Sequence, residues 1–212
     1  MAEDMQQVVA LLTRAAEQGN TQAQFRLGVM YANADEVALD YIEAARWLGR
    51  AAAQGLAEAQ SLMGWLCANG YGVPQDDAEA GRWYLRAAEA GRARDQYTVG
   101  AMYRWGRYGV AADPVRMLDG YQRSAQQQFG PAQLALGQLL MKDEYGIEKD
   151  YVLAYQWLSL AVVNGAENAG QVLESLTREM SPEQLAEAQR AMLSDAAPDA
   201  TGPSTGGMGH AL

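Results

Sequence analysis

Residues 64–91 read GWLCANGYGVPQDDAEAGRWYLRAAEAG, and this stretch contains two apolar helical patterns joined by a glycine-rich loop. Related copies of it recur along the chain. The glycines that match its first residue are Gly28, Gly64, Gly100 and Gly137, at intervals of 36, 36 and 37 residues. Self-similarity at such a period is the sequence signature of a repeat protein. The sequence therefore predicts a solenoid of about four repeats.

Each repeat is predicted to form two antiparallel helices. Apolar residues fall at helical spacing in both halves, and an aspartate precedes the second half, where it can cap the helix. These aspartates are Asp40, Asp76, Asp113 and Asp150, and glycines that can end the second helices are Gly19, Gly55, Gly91 and Gly165. The predicted helices cover residues 4–18, 21–33, 41–54, 57–69, 76–90, 93–105, 114–128, 131–142, 151–164, 167–179 and 182–193.

The whole array, residues 1–195, is predicted to be a single domain. Its first helix resembles the second half of an incomplete repeat, and the repeats then run over about 20–55, 56–91, 92–128 and 129–165, followed by capping helices at 167–193. Residues 196–212 are rich in Gly, Pro, Ser and Thr and lack periodicity. We therefore predict a disordered tail.

The repeated glycine lies inside the first helix, where it costs about 0.5–1 kcal/mol relative to alanine. Its return in four copies indicates a steric reason, which we take to be close approach of the second helix. Tryptophan recurs in the second helices as Trp47, Trp83 and Trp157, with Gly120 in the third copy. We expect these tryptophans to be buried beside the glycines.

The pattern Ala-Gln-x-x-Leu-Gly-x-x-Tyr, then Gly-Tyr-Gly-Val-x-x-Asp, then Ala-x-x-Trp-x-x-x-Ala-Ala-x-x-Gly resembles the Sel-one-like repeat (SLR) family, related to the tetratricopeptide repeats. The resemblance covers roughly residues 5–166. It implies an all-α fold, a right-handed α/α solenoid or superhelix with N- and C-terminal capping helices. Some copies depart locally: Asn33-Ala34-Asp35-Glu36 replaces the first glycine loop, Gly120 replaces a tryptophan, and Leu140 and Asp143 replace a tyrosine and a glycine.

The resemblance also carries an expectation about function. Members of the family resemble scaffolds that gather other proteins, often in bacterial envelope assembly, secretion and host contact. Some resemble immunity proteins that neutralise a toxic effector. We expect a non-catalytic protein-interaction module, with an immunity or inhibitor protein as the alternative and an enzyme as the third class.

The composition restricts the partners. The 212 residues carry a formal net charge of −10 with a pI near 4.6, so nucleic acid and anionic membrane are not expected partners. No apolar run reaches the roughly 18 residues of a membrane helix. No basic leader precedes an apolar core, which predicts a cytoplasmic protein as written, or a periplasmic one if a leader has been removed. One or more proteins are the expected partners.

Residues that could carry chemistry are few. The four recurrent aspartates are interpreted as helix caps rather than as acid/base carboxylates. Cys67 stands where other copies have Tyr31 and Tyr103, and it is interpreted as a buried structural thiol. The one histidine, His210, cannot build a His-based metal site or a catalytic triad. We therefore expect no catalytic residue, metal, cofactor or small-molecule substrate.

Some positions of the first helices hold different residues in different repeats, unlike the positions that recur for packing. These variable positions form a stripe. Its positions lie two residues before the glycine, one after it and four after it, and so share one helix face. First helices line the concave face of such solenoids, where we expect a partner to bind. The predicted partner-binding residues are Arg26, Val29, Leu62, Trp65, Thr98, Ala101, Arg104, Trp105, Arg107, Gln138 and Met141.

Trp65 is the most informative member of this stripe. The equivalent positions hold Val29, Ala101 and Gln138, so a tryptophan here is not part of the repeated pattern. Tryptophan and arginine are the residue types that anchor protein interfaces. The alternative is that Trp65 packs on a neighbouring repeat.

Overall fold

The computed structural model describes residues 2–35 and 37–193, and these ranges contain eleven helices. They are α1 (Ala2–Glu17), α2 (Thr21–Asn33), α3 (Tyr41–Ala53), α4 (Ala57–Asn69), α5 (Asp77–Glu89), α6 (Ala93–Trp105), α7 (Pro114–Gln126), α8 (Gly130–Leu140), α9 (Tyr151–Val163), α10 (Ala169–Glu179) and α11 (Pro182–Leu193). The predicted helices are confirmed to within two residues at either end. The predicted tail at 196–212, with His210, lies outside the described residues.

The fold is an all-α solenoid, in which α2 with α3, α4 with α5, α6 with α7 and α8 with α9 form the four predicted pairs. Strand pairing within the described ranges amounts to one isolated bridge between Glu144 and Ile147. The described residues fall into two compact units. The first lies within Met1–Asp95 and Trp105–Ala111, and the second within Gln96–Arg104 and Ala112–Leu212. The assignment of residues 1–195 to a single domain stays a prediction.

An aspartate caps the second helix of each pair, as predicted. The Asp40 carboxylate accepts hydrogen bonds from the backbone N–H groups of Ile42 and Glu43, at 2.9 and 3.0 Å. Asp76, Asp113 and Asp150 make the same kind of bond at the starts of α5, α7 and α9. Such a side chain satisfies backbone donors that the first helical turn leaves without a partner. The recurrence of these aspartates is therefore explained by helix initiation.

The glycine of each first helix is required by the helix that follows, but the side chain it contacts is not the predicted tryptophan. A Cβ atom on Gly28 would lie 2.5 Å from Cγ of Leu48, and one on Gly137 would lie 2.5 Å from Cγ of Leu158. Gly64 and Gly100 face tyrosine rings in the same way. The contacting residue is thus the neighbour that follows each tryptophan position, because the two side chains leave the helix in different directions.

The tryptophans differ in their burial. Trp47 and Trp157 are buried, as predicted, whereas Trp83 is only half-buried, with the Arg86 guanidinium 4.9 Å from its ring centroid. Trp47 packs with Ala16, Ala23 and Leu27, so it links α3 to the two preceding helices. The expectation that all three tryptophans are buried was therefore wrong for Trp83.

Buried glutamines join each first helix to its neighbours. The side chain of Gln24 donates to the carbonyl oxygen of Ala16 at 2.9 Å and accepts from Gln54 at 2.7 Å. Gln133 bonds in the same way to Ala125 and Asn164. A buried amide must find such partners, because an unmade bond costs about 1–3 kcal/mol. The Ala-Gln pair of the repeat therefore joins neighbouring helices by hydrogen bonds as well as by packing.

Candidate protein-binding surface

The stripe residues of α2 and α4 meet around one cavity in the first unit. It has a volume of about 290 Å³, and we call it the α2–α4 cavity. Its lining residues are Val29, Ala32, Asn33, Leu48, Leu62, Trp65 and Leu66. Three of them, Val29, Leu62 and Trp65, belong to the predicted partner-binding set. The lining is almost entirely apolar, which is the usual character of a site that receives an apolar side chain.

Trp65 stands at this cavity within a cluster of three aromatic rings. Its ring lies edge-on to Tyr71, at 5.0 Å between centroids, and to Tyr41 at 6.2 Å. Tyr41 and Tyr71 stack with centroids 4.6 Å apart and planes 11° from parallel. Trp65 nevertheless remains 39% exposed. Packing on a neighbouring helix pair and exposure at the surface, posed as alternatives from the sequence, are therefore both present.

The loop after α4 fixes this aromatic cluster. Gly72 has a φ of +68°, and a Cβ atom on it would overlap the carbonyl oxygen of Tyr41. This close approach of two backbones brings Tyr71 onto Tyr41. The sequence predicts only a glycine-rich loop at this position, and it gave no signal that Tyr41 and Tyr71 are neighbours of Trp65.

A second, larger cavity lies beside α1 and α2, also in the first unit. Its volume is about 540 Å³, and we call it the α1–α2 cavity. Its lining residues are Leu12, Phe25, Arg26, Val29, Met30, Ala34 and Asp35. Val29 therefore contributes to both cavities. The predicted residue Arg26 lies at the α1–α2 cavity, with an exposed side chain.

The predicted residues of the second unit are more enclosed. Thr98, Ala101, Arg104, Gln138 and Met141 are all half-buried. Burial by itself lowers the pKa of Arg104, but hydrogen bonds with Tyr145 and Tyr121 outweigh it, so the pKa lies above its ordinary value. The guanidinium of Arg104 is thus a fixed cation whose donors serve the internal packing of this unit.

Trp105 and Arg107, the remaining predicted residues, lie in the first unit. Trp105 is 61% exposed, which makes it the most exposed of the five tryptophans. The Arg107 guanidinium lies 5.7 Å from the ring centroid of Tyr108. These two residues add an aromatic and a basic group to the surface of the first unit.

The surroundings of the side chains that could carry chemistry point to structural roles. Cys67 is buried among the packed residues of α3 and α4, and burial raises the pKa of its thiol, with smaller contributions from Glu79 and Asp76. A thiol with a raised pKa is a poor nucleophile, because the thiolate is the reactive form. Within the described ranges, no three His, Cys, Asp or Glu side chains lie close enough together to hold a metal ion. No described helix is long and apolar enough to cross a membrane.

Comparison with known proteins identifies the repeat. The model of the Sel1 repeat matches residues 4–20, 21–56, 57–91, 93–116 and 130–162, which together make up more than half of the chain. The chain belongs to the Sel1 repeat family. The first match covers little more than α1, which agrees with its interpretation as half of a repeat. Sel1 repeat proteins generally mediate protein–protein interactions and are typically non-catalytic scaffolds.

Two solved structures support the same fold. A protective antigen of uropathogenic Escherichia coli with an SLR fold is 32% identical, with a TM-score of 0.77 over 81% of this chain. This chain spans only 36% of the length of that protein. A Sel1 repeat protein from Oxalobacter formigenes is 33% identical, with a TM-score of 0.74 over 86% of this chain and 76% of its own. A search of curated proteins finds no match.

Proposed function

We propose that this Sel1 repeat protein is a non-catalytic binding module and that an apolar side chain of a protein partner enters the α2–α4 cavity beside Trp65. The cavity is about 290 Å³ and apolar, which suits an aliphatic or aromatic anchor. The partner identity is left to experiment, because the chemistry of an apolar cavity specifies an anchor side chain and not a whole protein.

The observation that carries this proposal is the convergence of the variable positions on one cavity. Val29, Leu62 and Trp65 differ from their counterparts in the other repeats, and all three line the same cavity. Repeats that need only to stack on each other have no reason to place a tryptophan at one copy alone. An exposed tryptophan next to an apolar cavity is the usual composition of an interface hot spot.

The rings around Trp65 support its role as an anchor. Tyr41 and Tyr71 hold the indole on two sides while 39% of it stays exposed. A side chain that is already fixed loses little conformational entropy when a partner binds. Trp105, which is more exposed, and Arg26 at the neighbouring cavity are proposed as contacts around this centre.

The first prediction concerns Trp65→Ala. The variant is expected to weaken the complex by about thirtyfold or more, the effect of losing about 2 kcal/mol at a hot spot. Helicity should be unchanged, because Trp65 lies at the surface. Affinity capture from the native host with mass spectrometry supplies the partner, and calorimetric titration of each variant against it supplies the affinity.

Matched controls separate this site from other surfaces. Charge reversal at Glu43 or Arg86, on second helices away from the cavity, should change affinity by less than about threefold at moderate salt. Trp105→Ala tests the other exposed tryptophan. Binding by Trp65→Ala that equals the parent, with loss in Glu43 or Arg86 variants, would place the interface on the second helices and refute the proposal. A captured toxin whose activity the protein abolishes would assign the module to the inhibitor class.

A further inference from the structure

The contact between α4 and the first turn of α6 is polar, at a place where the repeat pattern is apolar. The hydroxyl group of Ser61, on α4, donates a hydrogen bond to the carboxylate of Asp95, on α6. Asp95 is only 2% exposed, and both residues belong to the first unit. The Arg92 guanidinium lies 3.3 Å from the other carboxylate oxygen of Asp95 and 3.3 Å from the carboxylate of Glu58. We call Ser61, Arg92 and Asp95 the polar contact.

Ser61 and Asp95 both depart from the repeat pattern. Buried alanines occupy the position of Asp95 in the other three pairs: Ala23, Ala59 and Ala132. Large apolar or aromatic residues occupy the position of Ser61: Phe25, Tyr97 and Leu134. At the preceding contact of the first unit, Phe25 packs against the apolar cluster that contains Ala59. A large side chain beside an alanine is thus replaced, at this contact, by a hydroxyl beside a carboxylate.

Arg92 is a third departure at the same contact. Its position, just before the first helix, holds other residue types in the other pairs: Asn20, Leu56 and Phe129. Burial of a carboxylate is strongly unfavourable unless hydrogen-bond donors or a cation accompany it. Arg92 and Ser61 supply both kinds of group to Asp95. The three departures therefore form one arrangement, in which each side chain explains the others.

The repeated contacts of the array do not distinguish one neighbour from another. A glutamine of the first helix donates to a backbone carbonyl oxygen of the preceding second helix at three junctions: Gln24 to Ala16, Gln60 to Ala52 and Gln133 to Ala125. A buried polar group can make such a distinction, because it is paired beside one neighbour and unpaired beside the others. Beside Phe25 or Leu134, the Asp95 carboxylate would lose the Ser61 donor and face an apolar side chain.

We propose that the polar contact specifies the order of the helix pairs, because it allows α6 to pack beside α4 and opposes packing of α6 beside any other first helix. Arg92 and Asp95 lie on the same segment and stay together in every order of the pairs. Ser61 is therefore the residue by which α4 is recognised. The benefit lies in specificity and not in net stability, since a buried polar pair replaced by well-packed apolar residues often leaves a protein as stable as before or more stable.

Thermal denaturation of the full chain tests the pairing. Ser61→Phe gives α4 the residue that α2 has, and it should lower the melting temperature by at least about 6 °C, because Asp95 then faces an apolar ring. Addition of Asp95→Ala should bring the melting temperature back to within about 2 °C of the parent or above it, because the contact then matches Phe25 and Ala59. In the parent background, Asp95→Ala should instead lower the melting temperature.

Ser61→Ala is the matched control for crowding. It removes the hydroxyl donor without adding volume, and it should still lower the melting temperature by about 2 °C or more. An unchanged melting temperature in Ser61→Ala would overturn the proposal. A loss of stability on Asp95→Ala in both the parent and the Ser61→Phe backgrounds would overturn it as well, because the effect of Asp95 would then not depend on its neighbour.

Refolding tests the order of the pairs directly. The Ser61→Phe/Asp95→Ala variant keeps an apolar contact but lacks the residues that specify it. After unfolding in urea and dilution, the parent should recover the size-exclusion profile and tryptophan fluorescence of a sample that was never unfolded. In the double variant, at least about a tenth of the chains should elute as misassembled species, a characteristic failure of repeat proteins. Recovery of the double variant that is as complete as that of the parent would refute the role in ordering.

Discussion

Trp47→Ala is expected to lower the free energy of unfolding by about 3–5 kcal/mol, the range for truncation of a buried aromatic side chain. Trp47 is only 2% exposed and packs with Ala16, Ala23 and Leu27, so its removal leaves a cavity between three helices. The guanidinium carbons of Arg46 and Arg50 lie 4.7 and 4.9 Å from the ring, and the variant would lose these cation–π contacts as well.

The other tryptophans provide a graded control for this experiment. Trp83→Ala should lower the free energy of unfolding less than Trp47→Ala does, because the Trp83 side chain is half-buried. Trp105→Ala should have the smallest effect, because the Trp105 side chain is the most exposed. Chemical denaturation followed by far-UV circular dichroism measures all three. If Trp105→Ala destabilised the protein as much as Trp47→Ala, burial would not be the source of the effect.

Gly72→Ala is expected to lower the free energy of unfolding by about 2–5 kcal/mol. Two costs combine. A left-handed conformation costs a residue with a Cβ atom about 1–2 kcal/mol, and forced overpacking typically costs about 1–3 kcal/mol. The Cβ atom would overlap the carbonyl oxygen of Tyr41 and lie 2.7 Å from the backbone nitrogen of Ile42, so no side-chain movement can relieve the clash.

Gly165→Ala separates these two costs. Gly165 has a φ of +70°, close to the +68° of Gly72, but its Cβ atom would meet nothing within 4 Å. Gly165→Ala should therefore lower the free energy of unfolding by only about 1–2 kcal/mol, the cost of a left-handed backbone conformation. Thermal and urea denaturation of both variants give the comparison. Equal losses in the two variants would contradict the contact between Gly72 and Tyr41 as the reason for the glycine.

The helix positions could be predicted because the signals that set them are local and repeated. Asp40 and its counterparts cap helices through backbone groups two or three residues away, and such short-range chemistry is visible in the sequence. Repetition at 36 or 37 residues then separates these signals from chance. The sequence does not predict in this way which face of each helix packs on its partner helix. That face depends on contacts between residues 20 or more positions apart in the sequence. The contact between Gly28 and Leu48, and the partial exposure of Trp83, were missed for this reason.

The sequence predicted several residues of the candidate surface, but not their arrangement in space. Variation between copies picked out Val29, Leu62 and Trp65, and they line one cavity. Nothing in the sequence distinguishes these residues from Arg104, whose side chain bonds to Tyr121 of α7 and to Tyr145 of the loop after α8. The ring stack of Tyr41 on Tyr71 likewise depends on two backbones that meet at Gly72. Contacts of this kind become visible only once the helices are placed.

The extensive packing in the first unit joins α1 to α2, α2 to α3, α3 to α4 and α4 to α5, which are neighbours in sequence. A pulling force on this part of the chain would therefore be resisted by one interface at a time. Each helix pair that gives way would release about 36 residues, or roughly 120 Å of extended chain. The remaining pairs would keep their own contacts, because a repeat is stabilised chiefly by its immediate neighbours. Under force the first unit would therefore unfold one helix pair at a time, and it would refold in the same stepwise manner when the force is released.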